Sequence, residues 1–384
     1  MNAIRVLHVP TDVAGNAQQL ARAERELGLD SISIAFRKSL FDYNCDEVLL
    51  RPGDSQIREE IKRWQLLWRA LRHSDIVHFN FGQTITPKPF FGADPRAMVY
   101  PLPLRLAYQW YARLTAGLDL KLLRSTGKKI FVTFQGDDAR QADVWGRRVG
   151  PLLLDEVGKY YYPSGSDEYK RRKIARFALY ADGMYALNPD LLYVLSRNAK
   201  FMPYAHVDLR RWTPIATTRP LNSAPVVIHA PSHRGVKGTR FVTDAVARLK
   251  AEGVPLEFLL VEGLSNREAR KLYERADLLI DQVLIGWYGG LAVEFMALGK
   301  PVVCYIREAD LKFIPGEMAQ ELPIIRADHT SLYDTLKVWL TQRRLELPEI
   351  GDRSRAYVER WHNPMEIAKR LKADYEVALF ARPS

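Results

Sequence analysis

Short runs of β-branched and aromatic residues alternate along the chain with stretches in which apolar residues recur every three or four positions. The first kind of run predicts strands at 4–9, 31–36, 75–81, 129–135 and 182–187, and a second series at 225–230, 256–261, 277–281, 301–305 and 323–325. The second kind predicts helices at 16–28, 55–73, 168–181, 238–252, 266–275 and 290–299. Alternating strands and helices build open parallel sheets covered on both faces, so the expected class is α/β, with two doubly wound Rossmann-like domains facing across a cleft. The break is expected between 205 and 224, where Asp208, Trp212-Thr213-Pro214 and Arg219-Pro220-Leu221-Asn222 interrupt the periodicity with turn formers. Residues 353–380 read as a further helix beyond the last strand.

Length supports this division, because 384 residues exceed what one core comfortably serves. The apolar share of 47% and charged share of 26% are those of an ordinary globular protein, so no part need be treated as disordered. Cys45 and Cys304 are isolated, which suits a reducing compartment and offers no metal-ligand spacing. The chain opens on a strand-like run with no apolar leader, and no stretch of about 20 apolar residues follows, so a cytoplasmic protein is expected. A formal charge of +11 favours anionic partners: nucleic acid, acidic lipid or phosphorylated small molecules. With no zinc-finger or RNA-recognition signature, nucleic acid is not expected.

Ligands of parallel α/β sheets gather beyond the carboxyl ends of the strands, and four such places carry chemistry. After the first strand, Gly15 and Asn16 open a helix; the turn frees amides to face a diphosphate, or is a tight connection with Asn16 as its cap. After the fourth strand, Gln135, Asp137, Asp138 and Arg140 cluster; they suit a hydroxyl acceptor with a carboxylate as its base, or the acids cap the next helix and pair with Arg140. In the second half, His233, Arg234 and Lys237 stand beside a glycine-framed helix start, a clamp for a departing diphosphate or a solvated basic loop. Finally Asp281-Gln282 leads to Gly286-Trp287-Tyr288-Gly289-Gly290-Leu291, where the glycines permit close backbone approach and Glu294 lies one turn into the helix, placed to bind a ribose.

These residues resemble glycosyltransferases of the GT-B fold, family 4 most closely, whose signature runs Glu-Gly-Phe-Gly-Leu, Glu-Ala-Met-Ala and Gly-x-Pro-Val-Val. Here the corresponding segments are Gly286-Trp287-Tyr288-Gly289-Gly290, Glu294-Phe295-Met296-Ala297 and Gly299-Lys300-Pro301-Val302-Val303. The resemblance extends to Gly15, His78, Gln135-Gly136-Asp137-Asp138 and Pro203-Tyr204-Ala205-His206-Val207-Asp208. It implies a nucleotide-sugar donor, Lys237 on the donor diphosphate, Glu294 on the ribose, and Gln282, Tyr288, Gly289, Gly290 and Leu291 around the donor. It also implies an acceptor domain at 1–205, a donor domain at 206–361, and a terminal helix at about 362–384 crossing back onto the first. Retention of anomeric configuration, no metal or other cofactor, and a role in surface polysaccharide or glycoconjugate synthesis are the further expectations.

The chain departs from the family at three places. Gly286 stands where the first of two glutamates eight residues apart is expected; Ser232 stands at the family's arginine, with Arg234 as its substitute; and Gln135 replaces the histidine of the acceptor loop. The missing glutamate opens a second reading, a relative that binds, hydrolyses or epimerises a nucleotide-sugar. Should the reaction invert, Asp138 is the expected base, with Lys237 and Arg234 supporting the leaving group. Residues 86–129 mix Phe90, Phe91, Tyr108, Trp110 and Tyr111 with Arg105, Arg113, Lys121, Arg124, Lys128 and Lys129. That mixture suits peripheral contact with an anionic membrane at its inner face and a lipid-linked or glycan acceptor, or simply a helix with an aromatic core face.

Overall fold

A computed structural model of the chain describes residues 3–38, 45–90, 101–150, 152–158, 161–215 and 223–380. Phe91, Arg219-Pro220-Leu221-Asn222 of the expected break, and residues 381–384 of the terminal helix lie outside the described residues.

The first half builds a sheet of seven parallel strands: β1 (Arg5–Val9), β2 (Asp30–Ala35), β3 (Glu47–Val48), β4 (Ile76–Asn80), β5 (Lys129–Phe134), β6 (Gly183–Ala186) and β7 (Lys200–Phe201), in the order β3-β2-β1-β4-β5-β6-β7. The second half adds five parallel strands, β8 (Val226–His229), β9 (Glu257–Leu260), β10 (Leu278–Ile280), β11 (Val302–Cys304) and β12 (Ile325–Arg326), in the order β12-β11-β10-β8-β9. All ten expected strands are present. The two that periodicity misses, β3 and β7, are two residues each, too short to show alternation.

Central strands such as β4 and β8 are buried along their whole length, which is why they read as continuous apolar runs rather than alternating ones. Helix starts follow local chemistry. The Ser55 side chain accepts the amide of Arg58, and Ser265 with Glu268 forms a reciprocal capping box, fixing helices Gln56–His73 and Asn266–Arg275. The expected single helix at 353–380 is two, Leu347–Trp361 and Pro364–Phe380. The break comes at His362-Asn363, because Pro364 can begin a helix but not continue one, and the Asn363 side chain accepts the amide of Met365 at 3.0 Å.

The terminal helix lies on the first sheet. The Tyr375 hydroxyl sits 2.6 Å from His78 Nδ1 and donates to Glu24 at 3.2 Å, while Lys372 donates to the carbonyl of Leu27. One continuous apolar core joins Val6, Ile76 and Phe131 of the first sheet to Val226, Leu279 and Trp287 of the second, through Tyr204, Val207 and Trp212 of the crossover. The crossover is also pinned where the chain returns, since His362 Nδ1 lies 2.8 Å from the carbonyl oxygen of Tyr204.

Strand order reverses between β1 and β4 in the first sheet and between β8 and β10 in the second. The segments leaving these strands at their carboxyl ends, 10–16, 81–86, 230–238 and 281–290, therefore border the two crevices where such sheets hold ligands.

Candidate functional site

A cavity of about 430 Å³ opens between the two halves, with Gly15, Gln18 and Arg22 on one wall and His206, Asn266 and Glu294 on the other. Gly15 takes a left-handed conformation (φ 70°) as the residue before helix Asn16–Glu26, so the first amides of that helix are presented at a positive helix end. Asn16 is not a cap. Its Oδ1 accepts the amide of Ala205 at 2.7 Å, tying the first crevice to the crossover. Glu294 is buried in helix Gly290–Ala297, where it accepts from Asn266 Nδ2 at 3.0 Å and lies 3.7 Å from His206 Nε2. Burial holds the His206 imidazole down to about 4, so it is a neutral neighbour at physiological pH.

Lys237 ends the short helix Arg234–Lys237 and donates to Asp281 Oδ1 at 2.7 Å, while Asp281 Oδ2 accepts the amide of Gly289 at 2.7 Å. A side chain at 289 would meet Lys237 Nζ at 2.9 Å, so only glycine lets the amine and the carboxylate sit against this backbone. At position 290 the same test meets His206 at 3.3 Å. Lys237, Asp281, the two glycines, His206 and Glu294 thus form one contiguous wall. Leu291 is half-buried and packs on the core behind it.

Several residues singled out from the sequence face elsewhere. Tyr288 is turned into the core, bonded to His362 at 2.8 Å and Tyr357 at 3.2 Å, because the loop 282–288 is itself buried. Gln282 donates to the carbonyl of Trp287 and holds that loop closed. Arg234 reaches out to Glu262 rather than joining Lys237, and His233 caps its own helix through a bond from the amide of Val236. Gly286 adopts φ 88°, and a Cβ there would meet Arg307 at 2.9 Å, so this backbone cannot take a glutamate as it stands.

The turn after β5 is organised from within. The Asp138 carboxylate accepts the amides of Gln135 and Gly136, at 3.1 and 2.7 Å, and is buried; burial raises its pKa against the opposing pull of Lys173. Its place is that of a bracket for the turn rather than an open base. Burial disfavours charge on Asp137 as well, but Arg140 and the hydroxyls of Tyr161 and Tyr162 overcome it and hold the carboxyl below its ordinary range. Arg140 also grips Asp190 at 2.9 Å. Tyr161, bonded to Asp137 of this turn, meets His233 edge-on with centroids 4.7 Å apart, which links the turn to the 230–238 segment.

What the turn leaves open is Gln135. Neither its Oε1 nor its Nε2 has a hydrogen-bond partner among the described residues, and the same holds for Asn80 Oδ1, Gln18 Oε1 and Asn16 Nδ2. Buried amides of this kind are uncommon; Asn80 and Gln135 stand at the carboxyl ends of β4 and β5, and Asn16 and Gln18 in the first turn of the helix that follows β1. Sequence reasoning names His206 without a role, passes over Asn266, and does not pair Asp281 with Lys237. The position of Asp281 at the end of β10, on a reversal of strand order, was the available signal.

The chain is similar over nearly its whole length to three solved structures. Sucrose-phosphate synthase from Thermosynechococcus elongatus aligns over 99% of this chain and 100% of its own, with a TM-score of 0.61 at 14% identity. HepE from Anabaena, solved with UDP and glucose, aligns over 97% and 98%, with a TM-score of 0.57 at 11% identity. The fold is GT-B. A Listeria monocytogenes protein provisionally assigned as a UDP-N-acetylglucosamine 2-epimerase has it too, aligning over 100% and 98% with a TM-score of 0.52 at 14% identity. No family model and no curated protein matches the sequence.

Proposed function

We propose that the chain is a glycosyltransferase that moves a sugar from a nucleotide-sugar to a hydroxyl acceptor, with the donor held chiefly by the second half. The observation that carries this is the cavity in which the helix start at Gly15 faces Glu294 across the junction of two doubly wound sheets, at the reversals of strand order. A ribose suits the Glu294 carboxylate with Asn266 beside it, and a diphosphate suits the Gly15 helix end together with Lys237, which would exchange Asp281 for a phosphate oxygen. Charge developing on the leaving diphosphate is then met by a cation and a helix end already in place. We assign the acceptor hydroxyl to Gln135, whose amide can accept from and donate to it.

With Asp138 committed to its own turn, no carboxylate of this loop is free to act as a base, which favours attack on the face the diphosphate vacates and retention of configuration. Lys237 and the helix end supply the support for which other enzymes use a metal, so activity should persist in a chelator. Gly286 favours one other reading, epimerisation or hydrolysis of the nucleotide-sugar, which would yield product without any acceptor. A thermal-shift screen against UDP-, GDP-, ADP-, CMP- and dTDP-sugars, with Glu294→Ala and Lys237→Ala alongside, tests the donor site. The reading requires a donor that raises the melting temperature of the wild type and of neither variant; a shift retained in both variants would overturn it.

A further inference from the structure

On the first half, away from the donor wall, a second cavity of about 610 Å³ lies between the 84–90 loop, helix Leu102–Leu114 and helix Ser166–Tyr180. Arg113, Arg172, Lys173 and Arg176 line it, against a single carboxylate, Glu168, which already pairs with Arg172 at 2.7 Å. Among the described residues neither Arg113 nor Arg176 has a carboxylate within ion-pair distance. Lys173 Nζ donates to the carbonyl of Asp138 at 2.7 Å, so the floor of the cavity abuts the turn that carries Gln135. An excess of cations beside the acceptor turn calls for an anion on the acceptor.

The outer face of the same helix is apolar. Leu102–Leu114 has Arg105 and Arg113 but no carboxylate, turns Gln109, Ala112 and Arg113 to the cavity, and exposes Leu106, Trp110 and Leu114. Beside it, helix Gln56–His73 exposes Ile57, Ile61, Trp64 and Trp68, which form one stripe at helical spacing. Trp64 Nε1 donates to the Tyr111 hydroxyl at 2.9 Å, joining the two helices into one surface. Of the fifteen large apolar side chains exposed among the described residues, nine are on these two helices, so the patch is concentrated rather than scattered. The acids of Gln56–His73 are taken up in pairs: Glu59 with Arg37 and Arg63, and Glu60, at the seam of the two helices, with Arg63 and the Tyr111 hydroxyl. Arg72 lies over the Trp68 ring at 5.2 Å, while Arg58 and Arg69 of the same helix pair with Asp54 and Glu47. Tryptophan, leucine and arginine, with the neighbouring carboxylates taken up in ion pairs, match the interface of an anionic bilayer.

We propose that this cavity takes the phosphate of a lipid-phosphate acceptor embedded in a bilayer, while the apolar faces of helices Gln56–His73 and Leu102–Leu114 rest on that bilayer. A lipid phosphate joins an anion to an apolar chain across a few atoms, and one helix here separates a cationic cavity from an apolar face. That the lipid is an acceptor rests on the transferase reading; that it binds does not.

The test is cosedimentation of the full chain with three vesicles: phosphatidylcholine alone, and the same lipid with phosphatidylglycerol or with phosphatidic acid at matched charge. Phosphatidic acid should be preferred over phosphatidylglycerol, and both over phosphatidylcholine. Arg113→Gln with Arg176→Gln should erase the preference for phosphatidic acid, at about fivefold in affinity per arginine. Trp68→Ser with Trp110→Ser should weaken binding to every vesicle. The proposal is overturned if the wild type does not sediment with any vesicle, or if the arginine variant keeps its full preference. Complete competition by inorganic phosphate, with no effect of the tryptophan changes, would overturn the bilayer and point to a soluble phosphate. A wild-type dimer that Trp68→Ser with Trp110→Ser converts to monomer would assign the apolar face to a second copy. Thermal shifts with nucleotide-sugars on the arginine variant check its folding, and an absent donor shift in a wild type that prefers phosphatidic acid would sink the transferase reading alone.

Discussion

The two walls of the cleft solve the problem of buried polarity in opposite ways. On the wall proposed for the donor, charged groups have polar partners, Lys237 with Asp281 and Glu294 with Asn266, in geometries that a ligand can enter by exchange of partners. On the wall proposed for the acceptor the charges are locked in the scaffold, Asp138 in its turn and Asp137 with Arg140 and two tyrosines, and the groups left without partners among the described residues are neutral amides. An exchangeable ion pair suits a diphosphate, whose charge grows as it leaves. An open amide suits a hydroxyl, which asks for direction rather than charge.

The largest effect should come from breaking the donor-side pair. Lys237→Met should lower the transfer rate by about 10²–10³-fold, as loss of a group that stabilises developing charge does, and should also lower stability by leaving Asp281 buried and unpaired. Adding Asp281→Asn should restore the melting temperature but not the rate; recovery of both would show that the lysine is only structural.

Next comes pH. Burial depresses His206 and His229 to about 4 and His362 to about 3. The unfolded chain titrates these histidines near their ordinary value, so between about pH 6.5 and the folded values it binds more protons than the native state. Stability is therefore complete above about pH 6.5 and falls as pH drops, by about 2 kcal/mol per histidine at pH 5. Urea unfolding at pH 7 and pH 5 measures it, and equal midpoints would show that the imidazoles are already charged in the fold.

Smaller effects separate bracket from base on the acceptor side. Asp138→Asn should cost about 1–3 kcal/mol of stability, since the bonds from two backbone amides to its carboxylate are weakened, while the rate of the folded enzyme changes by no more than about threefold. A collapse of the rate with stability intact would make Asp138 the base and favour inversion. Gln135→Ala should be the mildest, raising the acceptor KM by about tenfold with donor binding and melting temperature unchanged, because its amide holds nothing inside the protein.

The same contrast explains what could be read from the sequence. The alternation of strand and helix showed ten of the twelve strands and both sheets, and the glycine-rich segment before Glu294 marked the wall where Lys237 and Asp281 meet the backbone of Gly289, because close backbone approach leaves its trace in residue type. Carboxylates leave no such trace. Whether Asp138 faces a ligand or folds back on its own amides depends on turn geometry that the residues share in either case. Tyr288 misled for a related reason: an aromatic beside glycines reads as a ligand contact, yet the whole loop that carries it is buried. Helix Gln56–His73 shows the limit of periodicity, since it has two apolar stripes. Leu66, Leu67 and Ala70 face the core while Trp64 and Trp68 face outward, and spacing alone does not say which stripe is which.

The contact between His362 and Tyr204 bears on how such a cleft can open. The chain passes between its halves twice, outward through the crossover and back just before the terminal helix, and the two passages meet at that bond. Two connections that meet at one point hold the halves together there, whatever rotation the rest of the cleft allows. In the proposed transferase this point would serve as the pin of a clasp, bringing the jaws back to the same register after each turnover. Loosening the pin with His362→Ala should show itself as lost precision of closure, in kcat and donor KM together, before it shows as lost binding.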